Sequence, residues 1–327
     1  MPAAFVTGGT GFVGWHVAKA LAEEGWTVRA LARGGSDRRS GLEDLPLEIR
    51  NGDLSSVESL ERELAGCEAI VHTAGLVKAR TLADYREVNV AGTERLLAAA
   101  RKASPGAVFV YVSSQAAAGP ARDGRPVAEG DAPQPVSWYG ISKREGEEAV
   151  AREWPGPWIV LRPAVLYGPR DRGLLTYFRM VERGLVPVPA ARARVQLGTV
   201  EEAARAIARA ARRRDLSRRI GFLCDPRPVT VRELATRVAA AAGRPARLVE
   251  IPDTAVRLAG ALETLREKVT GESRPFNADK ARELLAGDWL CDPIPMRRDL
   301  DLPDPIPLDE GLRKTWEWYR ASGWLKA

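Results

Sequence analysis

Short apolar runs alternate with longer amphipathic stretches through the first half of the chain, the pattern expected of strands and helices in turn. Ala3-Ala4-Phe5-Val6 reads as a strand, and Val17 and Leu21 fall at helical spacing just beyond it. A second strand follows at Thr27-Val28-Arg29-Ala30-Leu31-Ala32, and a third apolar run at Ile70-Val71-His72. Between them, Ser55-Ser56-Val57-Glu58 ahead of Leu60 and Leu64 reads as a capping box that opens a helix. Glu94 to Ala100 is rich in strong helix formers, and Val108-Phe109-Val110-Tyr111-Val112 is a β-branched and aromatic run ending in Ser113 and Ser114. The alternation lasts to about Leu166 and predicts an α/β fold with a doubly wound parallel sheet.

After Pro169 the pattern breaks. Residues 170 to 195 carry Arg and Pro in the manner of an inserted lobe, then Thr199 to Arg213 reads as a helix and Ile220 to Cys224 as a strand. Thr230-Val231-Arg232-Glu233 caps another helix, ending at Gly243 before Pro245. Five prolines between Asp292 and Pro307 predict an extended segment before a last helix bearing Trp316, Trp318 and Tyr319.

The 327 residues exceed one typical domain, so a large α/β unit with a smaller second lobe is the expectation. An apolar fraction of 45% suffices for a sizeable core. No apolar run is long enough to span a membrane and no charged start precedes an apolar stretch, so a soluble, cytoplasmic protein is expected. Cys67, Cys224 and Cys291 are odd in number and far apart in sequence, which argues against a disulfide framework and a metal site; buried reduced thiols are expected. The net charge of +6 and isoelectric point near 9.4 raise nucleic acid as a partner, but the Arg residues are scattered. Arg212-Arg213-Arg214 falls at a helix end, where cations complement the dipole, and no aromatic interleaving accompanies it, so no nucleic-acid binding is expected.

Thr7-Gly8-Gly9-Thr10-Gly11-Phe12-Val13-Gly14 joins the first strand to the first helix, as a glycine loop that lets the backbone approach a pyrophosphate held on helix N–H groups. It fits a reading through Gly9, Gly11 and Gly14 and one through Gly8, Gly11 and Gly14. Tyr139 and Lys143, four apart, share one helix face, where an ammonium is expected to lower the phenol's pKa and ready it for proton transfer. In a parallel sheet, ligands sit beyond the carboxyl ends of the strands, so Ser114 is expected to hydrogen-bond a substrate oxygen that Tyr139 protonates, while Ser113 caps the next turn.

These residues resemble the extended short-chain dehydrogenases/reductases, which include NAD(P)-dependent epimerases and dehydratases, dihydroflavonol reductases and 3β-hydroxysteroid dehydrogenases. The landmarks stand in the family's order across most of the chain: TGGTGFVG at 7 to 14, Gly52-Asp53-Leu54, His72-Thr73-Ala74-Gly75, Asn89-Val90-Ala91-Gly92-Thr93, Val112-Ser113-Ser114, YGISK at 139 to 143, Leu161-Arg162-Pro163 and Tyr167-Gly168-Pro169. The resemblance implies a Rossmann fold, a nicotinamide cofactor and a catalytic triad of Ser114, Tyr139 and Lys143, with Tyr139 and Lys143 also contacting the cofactor. It implies cofactor contacts from Gly8, Thr10, Gly11, Phe12, Val13 and Gly14, from Asp53 and Leu54 beside the adenine, from Thr73, Ala74 and Gly75 on the ribose and pyrophosphate side, and from Asn89, Pro163 and Val165. It also implies that 196–224 returns to the Rossmann domain of residues 1–168, leaving 169–195 and 225–327 as a substrate-binding lobe. The family often forms homodimers through two helices, one of them bearing Tyr139.

Three departures refine this. Many NAD-preferring relatives carry an acid at the end of the second strand, whereas here Ala32 is followed by Arg33, Ser36, Arg38 and Arg39, which favours NADP over NAD; an exposed loop of Arg is the plainer reading. Gln115-Ala116 stands where dehydratases have an Asp-Glu pair, and Val165 where nucleotide-sugar enzymes have an Asn. An oxidoreductase acting on a small-molecule alcohol/ketone pair is therefore expected. A nucleotide-sugar 4-epimerase is the alternative within enzymes, and a non-catalytic NADP-binding sensor or assembly subunit the alternative outside them.

Overall fold

The computed structural model describes residues 1–33, 41–190, 193–272, 274 and 276–325. The chain opens with β1 (Ala3–Thr7), α1 (Phe12–Glu23), β2 (Thr27–Ala32), β3 (Glu48–Asn51), α2 (Val57–Leu64) and β4 (Ala69–His72). Then α3 (Leu82–Arg86) passes through a π-type turn at Glu87–Ala91 into α4 (Gly92–Ala103), followed by β5 (Val108–Val112), the short α5 (Gln115–Ala118), α6 (Trp138–Glu153), β6 (Trp158–Pro163) and β7 (Val165–Tyr167). Next come α7 (Arg172–Glu182), β8 (Leu185–Pro189), β9 (Arg194–Val195), β10 (Leu197–Thr199), α8 (Val200–Ala210) and β11 (Arg219–Leu223). The last elements are β12 (Val229–Thr230), α9 (Val231–Ala241), β13 (Arg247–Ile251), α10 (Asp253–Thr270), α11 (Ala278–Leu284), α12 (Ile294–Asp299) and α13 (Leu308–Ala321).

Seven of these strands form one parallel sheet in the order β11-β6-β5-β4-β1-β2-β3. Every residue of β4, β5 and β6 is buried, as a sheet covered on both faces requires. One face packs Val6, Val71 and Val110 against Val17 and Leu21 of α1 and Ile207 of α8. The other packs Phe5, Ile70 and Phe109 against Leu60 of α2, Leu96 and Leu97 of α4 and Val150 of α6. The chain reverses direction across the sheet between β1 and β4, and at such a switch point the strand ends leave a crevice.

A second core lies outside the sheet. Tyr167, Phe178, Val186, Val188, Leu234, Val238, Leu312, Trp316 and Tyr319 bring together α7, β8, α9 and α13. Residues 170 to 195, expected to form an inserted lobe, thus contribute α7, β8 and β9, while α8 and β11 join the sheet and its covering layer.

Several local expectations need correction. Ser56 does cap α2, its Oγ accepting from the Ser59 amide at 3.3 Å, but the reciprocal bond that makes a capping box is not formed there, because the third helical position is Ser59 and not Glu58. The reciprocal box appears at Thr230 and Glu233, as expected. The proline-rich stretch from Asp292 is interrupted by α12, since Pro295 falls in the first turn, where a missing N–H costs no helical bond. The Arg run after α8 does more than complement a helix dipole. Arg212 stacks 4.7 Å from the Trp26 ring and donates to the Glu24 carbonyl, Arg214 donates to the Gly106 carbonyl, and Arg213 pairs with Asp215. All three cysteines are buried and free, yet Cys224 and Cys291, distant in sequence, come to 3.6 Å between their Sγ atoms.

Candidate active site

The glycine loop leaves β1 and enters α1 with no room for side chains at two positions. Gly8 has φ of +72°, and a Cβ built on Gly14 would stand 2.1 Å from the Gly8 carbonyl oxygen. A Cβ on Gly8 would itself meet the Ala74 amide nitrogen at 2.7 Å. The close-packed set is therefore Gly8, Gly11 and Gly14, with the Gly11 amide donating to the Gly8 carbonyl at 2.8 Å. Gly11 caps α1 without a side-chain bond, so among the described residues no capping side chain takes the first N–H groups of that helix, which face the loop. This bare, amide-lined cradle fits a pyrophosphate. Thr10, Phe12 and Val13 lie half-buried along it.

The other expected cofactor residues gather at neighbouring strand ends. Thr73, Ala74 and Gly75 follow β4, with Thr73 Oγ1 donating to the Thr7 carbonyl at 2.6 Å and the Ala74 amide donating to Thr7 Oγ1 at 3.3 Å. Asp53 and Leu54 follow β3, and Ser55 bonds to the Asp53 carboxylate hold it below the usual range. Ala32 ends β2 with Arg33 exposed beyond it; Ser36 and Arg38, together with Arg39, lie outside the described residues. Pro163 ends β6 and is buried, whereas Val165 opens β7 half-exposed, at 52%. Asn89 sits behind the loop that follows β4. It is buried, its amide donating to the Leu76 carbonyl and to Ser142 Oγ while its side-chain oxygen accepts from the Leu76 amide, so it holds the 73–76 loop against α6.

Ser114, Tyr139 and Lys143 converge where β5 ends against the start of α6. Two glycines permit the approach. A Cβ on Gly140 would lie 2.2 Å from the Ala116 carbonyl oxygen, and one on Gly146 would lie 2.2 Å from the Tyr111 hydroxyl. Ser137 caps α6 through the Gly140 amide, and Asp279 accepts from the Trp138 amide at 3.0 and 3.1 Å, so the turn bearing Tyr139 is pinned from both sides. Lys143 is buried, with Nζ donating to the Val112 carbonyl at 2.9 Å and lying 4.1 Å from the Tyr111 ring centre.

The electrostatics correct one expectation. Burial pushes the Tyr139 phenol up to about 12, with a hydrogen bond to Ser114 working against it, and Lys143 is not among the groups acting on it. Lys143 is itself pushed down to about 7 by burial, against the pull of Glu147. Tyr139 is thus held as a neutral acid and not as a ready phenolate. A second correction concerns the two serines. Ser114, not Ser113, caps α5, its Oγ accepting from the Ala116 amide at 3.2 Å, while Ser113 Oγ donates to Glu147 at 2.5 Å.

Behind these residues stands a charged network that the sequence reading did not single out. Glu147 and Arg162, 4% and 2% exposed, form a two-pronged pair at 2.9 and 2.6 Å. Glu147 sits one turn after Lys143, a spacing that could have pointed to it. His16 and His72 are also buried: His16 Nε2 bonds the Pro169 carbonyl at 2.9 Å, and His72 bonds Thr7 and Thr93 at 2.6 and 2.9 Å. Tyr85 lies 6.1 Å from Tyr139, ring centre to ring centre. Among the described residues no His, Cys, Asp and Glu group could hold a metal ion.

Comparison with known proteins places this geometry. The family model of the NAD dependent epimerase/dehydratase family matches residues 4–220. A ceramide reductase of Caulobacter vibrioides is 36% identical over 98% of this chain and 95% of its own. A 4-hydroxy-2-methyl-3-oxo-4-farnesyl-3,4-dihydroquinoline-1-oxide ketoreductase of Stigmatella aurantiaca is 30% identical over 94% of each. The crystal structure of a UDP-glucose 4-epimerase from Thermotoga maritima superposes with a TM-score of 0.79 over 98% of this chain and 99% of that one, at 24% identity. With its seven-stranded Rossmann sheet and glycine cradle, the chain belongs to the NAD dependent epimerase/dehydratase family, within the extended short-chain dehydrogenases/reductases, and is an NAD(P)-dependent oxidoreductase or epimerase.

Proposed function

We propose that this protein is an NADPH-dependent ketoreductase, that Ser114, Tyr139 and Lys143 carry its chemistry, and that its substrate bears a long apolar chain. The observation that carries the reading is the meeting of Tyr139 and Ser114 at the sheet's carboxyl edge, where burial raises the phenol and favours its neutral form. A phenol kept protonated at neutral pH is suited to giving a proton, which is what reduction of a carbonyl demands. A bound nicotinamide dinucleotide supplies the hydride. Tyr139 gives its phenolic proton to the carbonyl oxygen and Ser114 hydrogen-bonds that oxygen, with Lys143 one helical turn away, its Nζ held by the Val112 carbonyl.

Both full-length relatives above are named as reductases, one of ceramide and one of a farnesyl-bearing ring, which supports a ketone with a long apolar tail. Val165 supports the same direction, since an exposed isopropyl group offers no hydrogen bond to a diphosphate. The cofactor preference rests on Ala32 and Arg33: β2 ends on Ala32 where a carboxylate would repel a 2′-phosphate, and a cation follows. A homodimer and a substrate-binding role for the second core belong to the same proposal. Incubating the purified protein with NADPH and a panel of long-chain ketones, steroid ketones and sugar nucleotides tests it. Loss of NADPH absorbance matched by alcohol is the expected outcome; turnover confined to sugar nucleotides would assign a 4-epimerase instead.

A further inference from the structure

Helix α10 packs on the rest of the protein by one face only. Val256, Gly260 and Glu267 are buried there, and Gly260 sits so close to α11 that an added Cβ would lie 2.7 Å from Ala281 Cβ. Two positions along a helix turn through about 200°, so the residues following these point away from the protein. They are apolar: Leu258, Leu262, Leu265 and Val269 are 62%, 55%, 59% and 81% exposed. Four large apolar side chains spaced four, three and four apart make one continuous stripe on the solvent side.

The charges beside the stripe are sorted. Arg257, Arg266 and Lys268 are exposed, whereas the helix's acids are half-buried or buried: Asp253 in the first turn, Glu263 paired with Arg266 at 2.7 Å, and Glu267 accepting from the Arg274 amide. Among the described residues from 253 to 272, Glu272 is the one exposed acid, past the helix end. The loop after β4 extends the same surface. Arg80 stands beside Gly271, and Val77, Lys78 and Arg80 are exposed.

We propose that this face docks the protein onto an anionic phospholipid bilayer, with the leucines entering the interface and the cations meeting lipid phosphates. A second copy of the chain is the competing occupant. Cations flank the stripe, so pairing two such faces sets like charges against each other, while an anionic surface satisfies them. The elements that carry the patch also pack beside the candidate active site. Tyr85 donates to the Val77 carbonyl at 3.3 Å and faces Tyr139, and Asp279 of α11 holds the Trp138 amide. Membrane docking goes beyond the ketoreductase reading and stands without it, since docking needs no turnover.

The test is sedimentation of the full-length protein with vesicles of phosphatidylcholine alone and of phosphatidylcholine mixed with phosphatidylglycerol. Binding to the mixed vesicles that weakens with added salt is expected, and Leu262→Ser with Leu265→Ser should lower it by roughly tenfold or more, given what two buried leucines contribute. Arg266→Glu with Lys268→Glu should remove the preference for the anionic lipid. Melting temperature and NADPH binding verify that each variant is folded, and Leu258→Ser with Val269→Ser provides a second pair should the first fail that check. Absence of binding to either vesicle, binding indifferent to these substitutions, or a dimer in sedimentation velocity that the leucine pair splits while vesicles stay unbound would each overturn the proposal. Ketone reduction measured on detergent-dispersed substrate reports on the ketoreductase separately.

Discussion

At Tyr139 the local forces oppose one another: burial raises the phenol to about 12 and the Ser114 hydrogen bond only moderates it. A neutral phenol across the physiological range gives a directional expectation. Ketone reduction should not accelerate between pH 7 and 9, while oxidation of the matching alcohol, which requires the phenolate, should rise about tenfold per pH unit below that pKa. Initial rates in both directions at saturating cofactor measure it. Tyr139→Phe should retain cofactor affinity and lose turnover by roughly 10²–10⁴-fold, and Lys143→Met should impair both. The pairing of Tyr139 with Lys143 was legible in their spacing, but the sign of the tyrosine's shift was not, because it depends on burial that only the packed fold creates. The cap on α5 has a similar origin: which hydroxyl caps that helix depends on where β5 ends, a boundary that periodicity leaves open by a residue.

Among the elements, α6 is the one whose position decides the site, and two features of its packing are open to test. Gly140→Ala would drive a methyl group into the Ala116 carbonyl, so the helix must move off α5; activity should fall together with melting temperature. The pair of Glu147 on α6 and Arg162 on β6 is fully buried, and removing one partner leaves a charge without compensation. Arg162→Met should cost about 3–5 kcal/mol, and restoring much of that by adding Glu147→Gln would identify the orphaned carboxylate as the cause; chemical denaturation reads both. Strands β1, β2 and β5 and the helix after the glycine loop were legible because their apolar periods are clean. Helix α12 was not, since its prolines read as extended chain unless one knows that Pro295 falls in a first turn. Nor was the contact of Cys224 with Cys291, which joins elements far apart in sequence.

Across the whole molecule, both histidines are buried in a neutral state, His16 pushed down to about 4 and His72 to about 3, chiefly by burial. An unfolded chain binds protons at these residues below about 6.5, whereas the folded one does not until the lower values. Stability is therefore full above about pH 6.5 and falls as pH drops toward 4, by up to about 1.4 kcal/mol per unit for each histidine. Melting temperatures between pH 7 and pH 4.5 should show this decline, and His16→Gln should flatten it in part. The overall architecture was legible because a parallel sheet imposes its alternation on the sequence, and the glycine loop because Gly8, Gly11 and Gly14 answer to steric demands. Substrate choice is written in side chains from several elements at once, and Val165 alone spoke to it in sequence.

Central to all of this is the proposal that the chain reduces a ketone with hydride from NADPH while Tyr139 supplies the proton. The most direct measurement supplies NADPH deuterated at the transferable nicotinamide position, together with a long-chain keto lipid such as the keto counterpart of ceramide, and analyses the product by mass spectrometry. One deuterium on the carbinol carbon for each NADPH consumed, lost with Tyr139→Phe while cofactor binding persists, is the result expected. Product carrying no deuterium, or a sugar nucleotide epimerised with no net cofactor oxidation, would contradict it.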